Sequence, residues 1–145
     1  MILGVDTKTL LEGEIRPNRQ DNGNISRTKF YICPVCGNIL FSTNSASIFC
    51  CGRKLEPLKA EKEDGRLGIK AAAVDTDYYF TFRHPMEKGN YMVFAACVKG
   101  DRLLLNRFYP QQDSRFRLPA GFMGRLYMYS EAEGLLDCGN VADLI

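Results

Sequence analysis

FYICPVCGNILFSTNSASIFCCGRKLEPL, residues 30–58, carries four of the chain's six cysteines, as Cys33-x-x-Cys36-Gly37 and Cys50-Cys51-Gly52. Four thiolates in one short stretch suffice to close a tetrahedral metal site without ligands from elsewhere. Glycine after Cys36 permits a turn that a side chain would hinder, so the first two sulfurs can converge. Thirteen residues separate Cys36 from Cys50, room for a short β-hairpin that returns the second pair to the first. The commoner zinc ribbon or finger spaces its second pair by two residues. Adjacent side chains in a regular strand point to opposite faces, so Cys50 and Cys51 can share one ion only across a turn.

Two disulfides, or buried thiols that merely pack, are the alternatives. Disulfides demand an oxidising compartment, and the opening residues MILGVDTKTLLEGE hold no basic start followed by an apolar core, as a secretory signal would. No run of about 18 apolar residues offers a membrane span. A cytoplasmic chain with one metal ion on Cys33, Cys36, Cys50 and Cys51 is therefore the expectation. The spacing does not choose between iron and zinc.

Residues 30–58 resemble the desulforedoxin-type domain of desulfoferrodoxin, in which such Cys-x-x-Cys-Gly and Cys-Cys-Gly elements bind one iron through four thiolates. The resemblance continues at Arg83-His84-Pro85-Met86-Glu87-Lys88, similar to the element that opens the catalytic-iron half of desulfoferrodoxin and superoxide reductase. It spans about residues 30–135 and implies an all-β chain: a small rubredoxin-like metal module at 30–58, then an immunoglobulin-like antiparallel β-sandwich at 66–138.

Against that family the departures decide the expected function. The superoxide reductase iron takes four histidines and one cysteine thiolate, and this chain contains a single histidine. His84 matches the first ligand. By the resemblance, the next histidine falls on Asn90, and the C-terminal Cys-x-x-His-Gly loop aligns with Ser130-Glu131-Ala132-Glu133-Gly134. Ser130 then stands where the thiolate would be and Glu133 where the last imidazole would be. The upstream Glu-Lys-His segment falls near Gly65-Arg66-Leu67. His84, Asn90, Ser130 and Glu133 are accordingly read as vestigial iron-site positions and the chain as noncatalytic. On the residues alone, His84 before Pro85 reads as a structural histidine at a strand end.

A chain of 145 residues, 46% hydrophobic and 25% charged, is globular and long enough for one ordinary domain or two small ones. A module of about 30 residues buries little core, so the metal would supply most of its folding energy. Net charge +2 gives no electrostatic footprint for nucleic acid. Residues 6–15 (DTKTLLEGEI) read as a short helix capped by Asp6 or Thr7, with Leu10 and Leu11 on its apolar face. Residues 16–29, rich in Asn, Gly and charge, read as a linker, and the polar stretch 59–68 separates module from sandwich. Strands are expected over Asp77–Arg83, Tyr91–Lys99, Arg102–Tyr109, Phe116–Leu118 and Gly124–Tyr129, with a tight turn at Gly100-Asp101. Cys97 reads as a small core residue, and Cys138 as lying near a flexible end. Tyr78, Tyr79, Phe80 and Phe82 read either as a homodimer face or as core.

Residues 1–15 carry a second resemblance, to the last helix of a lambda-repressor-type helix-turn-helix domain. Bacterial transcription regulators join such a domain through a polar linker to a desulfoferrodoxin-like half with degenerate histidines, and residues 1–138 look like the back part of one. A stand-alone small metalloprotein, related to rubredoxin-like electron-transfer or superoxide reductase-related redox proteins, is the alternative. On either reading, DNA contact would need a recognition helix that this chain does not contain.

Overall fold

The computed structural model describes residues 23–145; the helix expected at 6–15, its helix-turn-helix context and the first half of the 16–29 linker fall outside them. A 3₁₀ turn at Ile25–Arg27 comes first, with the Asn24 side chain accepting from the Ser26 N–H at 2.9 Å. Two small antiparallel hairpins follow. β1 (Lys29–Ile32) pairs with β2 (Ile39–Ser42), and β3 (Ile48–Cys50) pairs with β4 (Arg53–Leu55). Tyr31, Cys33 and Leu55 are buried between them, with Leu40 and Ile48 packed alongside.

The rest of the chain is a two-sheet sandwich. A three-stranded sheet runs in the order β10 (Arg115–Pro119), β7 (Asp77–Thr81), β6 (Lys70–Val74). Facing it, a five-stranded sheet runs β5 (Glu61–Lys62), β12 (Gly134–Asn140), β11 (Arg125–Ser130), β8 (Met92–Lys99), β9 (Arg102–Arg107). All pairings are antiparallel except that of β5 with β12. Phe80 and Phe116 stack across neighbouring strands at 4.8 Å between ring centroids, a pair contributing about 0.5–1.5 kcal/mol beyond its buried area. Phe82, Phe108, Met92, Leu126, Met128 and Leu136 fill the space between the sheets.

The five-stranded sheet is covered on both faces, which explains why β8 reads MVFAACV without a polar break. Ala95 and Cys97 face the other sheet, whereas Phe94 and Ala96 face the hairpin module through Phe30, Ile32, Ile39 and Leu58. Phe30 is only 2% exposed and meets the Phe94 and Tyr127 rings at 5.4 and 5.8 Å. The module's first strand is thus part of the sandwich's second core.

Gly100-Asp101 forms the expected two-residue turn between Lys99 and Arg102, with Gly100 at φ 54, as a type II′ hairpin requires. Three strands of the sandwich were not expected, β5, β6 and β12; β5 lies in the stretch read as a polar separator, and β12 corrects the reading of Cys138. That residue lies in a paired strand and packs against the inter-sheet core. Phe80 and Phe82 are buried inside the chain, so they are unavailable to a partner; Tyr78 and Tyr79 are the half-buried rings of that group.

Because Phe30 joins both parts, Phe30→Ala should cost about 3–5 kcal/mol, the range for truncating a buried aromatic. Denaturant titration followed separately by far-UV and aromatic signals should show module and sandwich weakened together; an effect confined to the module would contradict this packing.

Candidate metal centre

Local turn chemistry brings the four sulfurs together. After β1 the chain turns at Cys33-Pro34-Val35-Cys36-Gly37; the Gly37 N–H donates to the Cys33 carbonyl at 2.8 Å, and the Cys33 N–H to the Asn38 carbonyl at 3.0 Å. Gly37 is at φ 73. The adjacent pair is solved by the β3–β4 hairpin, in which Cys50 pairs with Arg53 and Cys51-Gly52 forms the two-residue loop. Cys51 at φ 52 and Gly52 at φ 74 carry the two positive φ angles of a type I′ turn. Cys51 leaves the strand alternation there, and its sulfur swings to the side of Cys50.

The four Sγ atoms all lie within 4.8 Å of one another. Cys36 and Cys50 are 3.6 Å apart, and Cys50 and Cys51 4.0 Å. A tetrahedral ion with metal–sulfur bonds near 2.3 Å spaces its sulfurs by about 3.8 Å, so the donor set matches such an ion in type, number and separation. All six cysteines are free thiols.

Electrostatics favours a cation at this point. The Cys36 backbone N–H is the chief cause holding the Cys33 thiol down at about 6. Shared hydrogen bonds with Cys36 raise Cys50 and push Cys51 up to about 12. One thiolate forms readily and its neighbours then resist losing their protons, because like charges at this separation disfavour each other. A divalent ion at the centre removes that conflict. Sequence reasoning missed Asn38, whose Nδ2 lies 3.8 Å from the Cys50 sulfur as a weak donor. Its only signal was an amide directly after Cys-x-x-Cys-Gly.

Of the four positions that the resemblance matches to iron ligands, three come together at one end of the sandwich. The His84 side chain is 1% exposed and its Nε2 is 3.7 Å from Glu133 Oε1. Ser130 is fully buried and its Oγ accepts from the Glu133 N–H at 3.1 Å. A bulge in the β8–β11 pairing between Tyr129 and Ser130 accompanies this arrangement, as bulges commonly re-aim a side chain. Asn90 closes a tight backbone bridge with Glu87. Both His84 nitrogens, Asn90 Oδ1 and Glu133 Oε2 are buried without a hydrogen-bond partner. Of the upstream segment, Arg66 is exposed and paired with Asp64, and Leu67 is buried core. Among the described residues, the four cysteines form the one cluster of three or more metal-binding side chains.

The fold is similar to that of the superoxide reductase from Treponema pallidum, with a TM-score of 0.64 over 75% of this chain and 94% of that one at 9% sequence identity. No protein-family model matches the sequence, and no curated protein matches it. At that identity the likeness establishes the architecture alone, in keeping with the all-β fold anticipated from the sequence.

Two outcomes are expected. Cys50→Ser should release the metal and expose the β3–β4 amides to hydrogen exchange while the sandwich amides stay protected; full metal occupancy in a Cys50→Ser, Cys51→Ser double variant would contradict the assignment. Burial pushes the His84 pKa below its usual 6.5, with Glu133 partly opposing. A depressed imidazole leaves the unfolded chain binding more protons than the folded one, so its contribution is full above pH 6.5 and is lost as pH falls toward the folded value. His84→Leu should flatten that acid-side slope relative to the parent protein in pH-dependent denaturation, the cysteine contribution being common to both.

Proposed function

We propose that the chain is a noncatalytic metal-binding protein in which Cys33, Cys36, Cys50 and Cys51 hold one iron or zinc ion. The carrying observation is the convergence of four sulfurs within 4.8 Å in a chain with a single histidine. The sandwich retains the architecture of a superoxide reductase without its ligand chemistry: His84 has Glu133 beside it and Ser130 nearby, a set lacking the soft thiolate that would tune an iron for superoxide. We place the protein in the cytoplasm, where thiols are kept reduced.

Electron transfer is the second reading. Cys36 and Cys51 are exposed, so an iron held there would lie close to the surface and within a partner's reach. In a regulator, as residues 1–15 imply by resemblance, the module would serve as the input. DNA contact would then belong to a helix-turn-helix segment, since a net charge of +2 neutralises few phosphates.

Metal analysis with a visible spectrum tests the reading. One metal per chain is expected, with thiolate-to-ferric absorption if it is iron, and no superoxide consumption above that of the free ion. A second iron per chain, or superoxide consumption abolished by His84→Ala, would overturn the noncatalytic assignment.

A further inference from the structure

We propose that the cleft between the loop at residues 33–38 and the outer face of the five-stranded sheet binds a free α-amino acid with an apolar side chain. The cleft has a volume of about 370 Å³, within the range of small-molecule sites. It is built by both parts of the protein. Tyr91, Val93 and Tyr129 supply one apolar wall from the sheet, and Ile32 and Leu58 the opposite one from the module. Cys33, a ligand of the proposed metal centre, also lines it, so an occupant would touch the loop that presents two of the four sulfurs.

Charge at the rim selects the ligand class. Lys88 and Glu131 both line the cleft and are exposed. Among the described residues neither makes an ion pair, with each other or with any other group. The other cation, Arg107, is held in place by its Nε donating to the Phe108 carbonyl and its guanidinium lying over the Tyr109 ring at 5.1 Å. An unpaired cation and an unpaired anion above an apolar floor match a zwitterion: carboxylate toward Lys88, ammonium toward Glu131, side chain against Tyr91 and Val93. The inference depends on the metal-centre reading only in that the metal holds the loop at 33–38 in place.

Calorimetric titration of the metal-loaded full chain with phenylalanine, phenylacetate and phenethylamine tests it, with metal content assayed before and after. Phenylalanine should bind one per chain. Each analogue lacking one charged group should bind about tenfold more weakly or worse, the effect of losing a charge-assisted hydrogen bond. Lys88→Ala should abolish the preference for phenylalanine over phenethylamine, and Glu131→Gln the preference over phenylacetate; both positions are exposed, so neither change threatens the fold. No binding at millimolar ligand, equal binding of all three compounds, or unchanged discrimination in both variants would overturn the proposal. Any of these with one metal per chain retained leaves the metal-centre reading standing.

Discussion

Holding four thiols within 4.8 Å of one another sets a charge problem on which the rest of the N-terminal module depends. Two unit charges about 4 Å apart near a protein surface repel by about 4 kcal/mol, so four thiolates cannot coexist there unaided. The module has little else with which to hold them: Tyr31, Cys33 and Leu55 are its buried residues beyond the ring of Phe30. Cys51 also occupies a left-handed backbone conformation, which costs a non-glycine residue about 1–2 kcal/mol. A divalent ion bound to all four sulfurs offsets repulsion and strain together, which couples metal binding to the folding of this region.

That coupling extends beyond the module because β1 is anchored elsewhere. Phe30 packs on Phe94 and Tyr127, and the Leu58 N–H donates to the Phe30 carbonyl at 2.8 Å. The beginning and end of the cysteine-bearing segment are thereby tied to each other and to the outer face of the five-stranded sheet. The loop carrying Cys33 and Cys36 leaves β1 from that fixed point. Its position relative to the sheet is set by packing, while the approach of Cys50 and Cys51 is set by the hairpin turn.

The metal site was the most legible part of the sequence, because cysteine spacing and a following glycine translate directly into sulfur position. Even the awkward adjacent pair announced its turn: Cys-Cys-Gly can converge only if the strand alternation breaks, and a type I′ loop breaks it. The aromatic and branched runs of β7, β8, β9 and β11 were readable for similar reasons. β6 and β12 were not, nor was the two-residue β5 within the polar stretch at 59–68. Lys70–Val74 is mostly alanine, a poor strand former in isolation, and takes its strand conformation from the register with β7. Gly134–Asn140 holds two glycines and an aspartate, breakers by composition, yet it is pinned between β11 and β5. In both, tertiary pairing overrides local preference. The burial of the five-stranded sheet on two faces was visible only as the unbroken apolar run of β8, which sequence alone cannot tell from an ordinary core strand.

In the sandwich, the residues that make the architecture are separate from those gathered at its polar end. Its inter-sheet core is made by strand interiors such as Phe80, Phe116, Leu126 and Met128. His84 follows the end of β7, Asn90 lies in the turn before β8, and Ser130 and Glu133 flank the turn between β11 and β12. Residues at strand ends and loops can change identity without altering the packing that defines the fold. The polar end carries an energetic cost. Both His84 nitrogens are buried without hydrogen bonds, and an unsatisfied buried polar group costs about 1–3 kcal/mol. A sandwich of this kind keeps its shape whether or not its polar end holds an iron, and likeness of fold carries no information about superoxide chemistry.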